Sequence, residues 1–105
     1  MQIVGGYLLS LELPQNRAHL TLNVTVDDAR FNSVNVKFSN RDGSPIRVEM
    51  NHLSISLIHH PESDLATMGE LEEVYRIDGG FGLWGDFGTV VVYCDDCSLP
   101  ESQIR

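Results

Sequence analysis

A chain of 105 residues with 42% apolar side chains has room for one domain and a modest core. It carries 15 acids against seven lysines and arginines, a formal charge of −8, and has no basic patch with interleaved aromatics, so direct nucleic-acid binding is not expected. No run approaches the roughly 20 apolar residues that span a bilayer as a helix, and MQIVGGYLLSLEL lacks the basic region and cleavage site of a secretory signal, so the expectation is a cytoplasmic protein without a membrane partner.

The elements then follow in chain order. In residues 7–13, Tyr7, Leu9, Leu11 and Leu13 alternate with Leu8, Ser10 and Glu12. Pro14-Gln15-Asn16 breaks this first strand, because proline offers no ladder donor. Residues 18–27 hold the cleanest period-2 run, with Leu20, Leu22, Val24 and Val26 on one face and His19, Thr21, Asn23, Thr25 and Asp27 on the other. Val34, Val36 and Phe38 repeat the pattern over 33–39. Arg41-Asp42-Gly43-Ser44-Pro45 is a turn. A long strand is expected over 46–58. Its phase slips between Met50 and Leu53, which predicts a β-bulge or bend near Asn51-His52.

The second half is less regular. Pro61 and the acids after it suit the first turn of a helix, so a short helix is expected over 62–68, followed by a strand near 72–77. Residues 88–94 read as a valine-rich strand buried on both faces. Residues 98–105 read as a frayed tail. The fold class is therefore mostly β: an antiparallel β-sandwich or partly open barrel of about six strands with one short helix, in a single domain over 1–105.

Charge is unevenly placed. Residues 1–59 balance five acids against five bases, whereas residues 60–105 hold ten acids and only Arg76 and Arg105. The acidic half repels nucleic acid and attracts a basic partner. Within it, residues 78–88 place Phe81, Trp84 and Phe87 at every third position among glycines. The spacing Gly80-x-Gly82-x-x-Gly85 matches a dinucleotide loop, but a strand follows it instead of the helix that would receive phosphates. Asp86-Phe87-Gly88 echoes a kinase triplet without the rest of a kinase. Two readings stay open for this loop: a tight connection whose aromatics cap the core, or an aromatic anchor with an acidic rim. The second nominates Asp78, Phe81, Trp84, Asp86 and Phe87, with Glu70, Glu72 and Glu73 beside them, as a partner-binding surface.

Cys94-Asp95-Asp96-Cys97 could supply half of a zinc site, completed by His59 or His60, with His52 as a spare. Two aspartates between the thiols raise their pKa values and disfavour redox catalysis. Asp27-Asp28, Asp78, Asp86 and Asp95-Asp96 could offer oxygens to calcium but follow no EF-hand pattern. Asn23-Val24-Thr25 is a glycosylation sequon without consequence in a cytoplasmic protein. No nucleophile motif is present. The expectation is a non-enzymatic protein-binding module, a small acidic inhibitor or immunity-type protein, with no cofactor, that blocks a basic surface of a partner. The alternatives are a small zinc-binding domain, a loop-sited enzyme with no nominated nucleophile, and a structural subunit or homo-oligomer.

Overall fold

The computed structural model describes residues 2–26, 32–51, 58–59 (backbone) and 66–105. Ten strands follow in order: β1 (Leu8–Glu12), β2 (His19–Thr25), β3 (Ser33–Ser39), β4 (Arg47–Asn51), β5 (Ile58–His59), β6 (Ala66–Thr67), β7 (Leu71–Ile77), β8 (Gly80–Gly85), β9 (Gly88–Tyr93) and β10 (Asp96–Cys97). Two antiparallel four-stranded sheets result, β1-β2-β3-β10 and β4-β9-β8-β7, with β5-β6 as a small ribbon. The fold is a mostly β sandwich. None of its described helices is long and apolar enough to cross a membrane.

Period-2 patterning explains the first sheet. Leu20, Leu22 and Val24 of β2 and Val36 and Phe38 of β3 are buried, while Asn35 and Lys37 face solvent. In β1 the inward set differs from simple alternation. A register shift between Leu8 and Ser10 lets Leu8 enter the core at no exposure, whereas Leu9 stays half-buried.

The sheets meet through a shared core in which the Phe38 and Phe81 rings lie 5.6 Å apart. Each such aliphatic or aromatic side chain stabilises the fold by about 1.5–3 kcal/mol relative to exposure. At one corner the sheets are stitched together. Leu8 N–H donates to Gly69 O, Met68 N–H donates to Leu8 O, and Tyr7 bridges Glu70. At another, Cys94 and Asp95 carry the chain from β9 back to β10 beside β3.

Several expectations need correction. The segment assigned to a helix contains β6 at Ala66–Thr67, because the adjoining backbone groups are bonded across to β1. Residues 62–65 and Asp27-Asp28 lie outside the described residues; of the bulge expected near Asn51-His52, Asn51 still pairs in register with Thr89, and His52 lies outside the described residues. The one helical element among the described residues is a 3-10 turn at Glu101–Gln103. The loop at 78–88 is instead a strand, β8, between two tight turns. In β9, Val90 and Val92 are buried but Thr89, Val91 and Tyr93 are only half-buried, so one face is core and the other is not.

The tail is docked, not frayed. Leu99 is buried and Ile104 packs on the core. Ser98 N–H donates to Lys37 O, and the Gln103 side chain accepts from Ile3 N–H. Arg76 forms an ion pair with Glu101. The hydrophobic residues of this segment are too widely spaced to show period-2 or helical order, so their packing is invisible until the sheets are in place.

Candidate partner-binding surface

The surface is built on the β7-β8-β9 meander. Gly79, at φ +84, permits the two-residue turn between Ile77 and Gly80. Along β8, Phe81 and Leu83 point into the core, and Gly82 and Trp84 point to the opposite face. Pairing then aligns Glu73, Trp84 and Thr89 in one row and Tyr75, Gly82, Val91 and Glu49 in the next. Glycine at 82 is required by close approach. A Cβ there would lie 2.1 Å from Cζ of Tyr75, whose ring covers the β8 backbone.

Trp84 is 40% exposed, one of two large apolar side chains with that exposure among the described residues. Its indole N–H donates to Oε2 of Glu73 at 2.7 Å, and Oε1 of Glu73 meets Nη1 of Arg105 at 3.1 Å. The indole N–H is therefore tied to β7 while much of the side chain stays exposed. Further along, the Arg47 guanidinium carbon lies 4.0 Å from the centroid of the Tyr93 ring, and Arg47 pairs with Glu49 at 3.6 Å. Tyr75, Tyr93 and Arg47 join this face, which the reading of sequence missed. Glu73, Tyr75 and Ile77 alternate with the buried Val74, but Leu71 is buried on their own parity, and the bulge that separates it from them has no mark in the sequence.

Glu72 and Glu73 are brought close by a bulge, since the β7 register shifts between Leu71 and Glu73. Glu70 adjoins the same end, where its N–H donates to Oδ2 of Asp86 at 2.9 Å and its carbonyl accepts from Asp86 N–H at 3.1 Å. Trp84, Glu70, Glu72, Glu73 and Asp86 thus gather at one end of the sheet. Asp78 stands at the opposite end of β8. Phe81 and Phe87 are 3% and 1% exposed and belong to the core, so they present nothing to a partner. Inward-facing strand positions and the packing of Phe87 against Gly85 explain both placements.

Cys94 and Cys97 are free thiols. Burial pushes both up, Cys97 to about 11, with the neighbouring aspartates adding smaller increments. A metal ion at this pair would have to displace those protons. His52 and His60 lie outside the described residues, and of His59 only the backbone is described. Among the described residues, no three His, Cys, Asp or Glu side chains gather as a metal site.

Compared with protein-family models, curated proteins and solved structures, the chain matches none.

Proposed function

We propose that this chain is a non-enzymatic protein-binding module of the inhibitor or immunity type, which covers a basic, nucleic-acid-binding surface of a protein partner. The observation that carries the reading is the exposed Trp84, pinned by Glu73 at the sheet end where Glu70, Glu72 and Asp86 gather. Tryptophan, tyrosine and arginine dominate interface hot spots, and Trp84, Tyr75, Tyr93 and Arg47 share one face. Carboxylates beside such an anchor offer a basic groove the charges it ordinarily finds in phosphates. Among the described residues, no cation pairs with Glu70 or Glu72, so their charge remains available.

The test is affinity capture from cell extract with the wild-type chain and with Trp84→Ala. The expected result is a basic protein retained by wild type, lost with Trp84→Ala, released by salt and displaced by duplex DNA. Equal capture by both proteins, or indifference to DNA, refutes the reading.

A further inference from the structure

The outer face of β4-β9-β8-β7 carries one arrangement twice, complete at one end and short of one member at the other. At the complete end, Arg47 of β4 stands opposite Tyr93 of β9. Its guanidinium carbon lies 4.0 Å from the Tyr93 ring centroid, and its Nη1 meets Oε1 of Glu49 at 3.6 Å. The Tyr93 hydroxyl donates to the other Glu49 oxygen at 3.4 Å. Ring, carboxylate and cation thus form a closed set. At the other end, Glu73 of β7 stands opposite Trp84 of β8 and accepts from the indole N–H at 2.7 Å. Ring and carboxylate repeat, but no cation covers the ring. Arg105 takes the other Glu73 oxygen, and the cations that lie over rings among the described residues are Arg47 on Tyr93 and Arg76 on Phe81.

The chain's own arginines therefore display what such a seat takes. Arg47 lies between an aromatic ring and Glu49, and Arg76 between the Phe81 ring and Glu101. We infer that Trp84 is the seat of an arginine side chain of the partner, which lies on the indole as Arg47 lies on Tyr93. The inference rests on the reading that the partner is basic, and names the side chain by which it is held. Charge at this end is complementary. Among the described residues, Glu70 and Glu72 have no cation of their own, and Glu72 is exposed. Indole is the aromatic group that attracts a cation most strongly. A planar guanidinium can lie flat on it and still turn its N–H edge to a carboxylate, whereas a lysine ammonium is a point charge that cannot stack. Tryptophan and arginine are also the residues that most often carry binding energy across an interface.

The test uses the full chain with its tryptophan replaced biosynthetically by a series of increasingly fluorinated analogues. Trp84 is the one tryptophan in the sequence, so only this ring changes. Fluorine withdraws the negative charge of the ring face and leaves every carboxylate in place. The probe is triarginine with both ends blocked, and trilysine is the control of equal charge. Titrations are followed by NMR shifts of the backbone amides and the indole N–H. Triarginine should bind, move the indole signal, and lose affinity stepwise along the series, by about two- to fivefold in total, the worth of an exposed cation–π contact. Trilysine should bind more weakly throughout. Affinity that is constant along the series overturns the proposal, because charge alone then suffices. Equal affinity for trilysine overturns the choice of arginine. No binding of triarginine, with Trp84-dependent capture of a basic protein intact, refutes the arginine seat and leaves the face reading standing. Binding that falls with fluorination, without any such capture, keeps the seat and removes the nucleic-acid-binding partner.

Discussion

Trp84 and Phe87 stand three residues apart and answer to opposite physics. Phe87 is 1% exposed, so Phe87→Ala removes a full ring from the core and should cost about 3–5 kcal/mol. Trp84→Ala touches an exposed side chain with one hydrogen bond and should cost about 1 kcal/mol or less. Urea midpoints of the two variants would distinguish these cases, and a collapse of the Trp84→Ala protein would make the indole a core element. Gly82 is a second pair-dependent position. Gly82→Ala drives a methyl group into Tyr75 and should cost roughly 1–3 kcal/mol, much of it recovered when Tyr75 is also replaced by alanine. Additive losses in that double-mutant cycle would show that the ring is not what excludes a side chain. For Cys97 the sign is set by burial of a neutral thiol. Its folded pKa of about 11 lies above the usual 9.0, so the unfolded chain loses its proton first as pH rises. The stability this contributes is complete below pH 9.0 and is lost progressively between 9.0 and about 11. Thermal midpoints should therefore fall more across that window in wild type than in Cys97→Ala, and parallel curves would contradict the assignment.

At the scale of elements, the C-terminal arm and β8 carry the lessons. The arm contributes Leu99 and Ile104 to the core and Arg105 to the edge of β7. Deleting residues 99–105 should cost about 3 kcal/mol or more, the burial of two aliphatic side chains. The same deletion should speed hydrogen exchange at the Arg76 amide, whose acceptor is Arg105 O. An unchanged denaturation midpoint would mean that the arm only rests on the sheet. β8 is a strand made largely of glycine and aromatics, a composition that local propensity assigns to a loop. It is held as a strand by neighbours on both sides, β7 and β9, whose ladders supply the order its own residues lack.

For the whole molecule, the division of charge is the property most directly tied to the proposed function. The first half is neutral and the second carries the entire −8. Several of its acids are already engaged: Glu73, Asp96 and Glu101 by arginines, and Asp86 and Asp95 by backbone N–H groups. Among the described residues of this half, the acids outside these contacts are Glu70 and Glu72 at the Trp84 end and Asp78 at the opposite end of β8, so the charge left for a partner is smaller than the formal total. Binding through it should weaken steeply with salt, as the screening length shrinks from about 10 Å at 0.1 M to about 3 Å at 1 M. Salt-insensitive capture would exclude the electrostatic part of the proposal. Alternation of apolar and polar residues alone determined the β class and the inward faces of β2 and β3, because a two-residue period admits one buried face, whereas the strand at 88–94 was marked only by its β-branched residues, which left its buried face undecided. Only the tertiary structure decided that Phe81 and Phe87 turn inward while Trp84 turns out. A run of glycines and aromatics has no polar phase marker, so its parity is set by the ladders on either side. The placement of the arm against β7 was likewise decided there, since an edge exists only once the strands have been ordered.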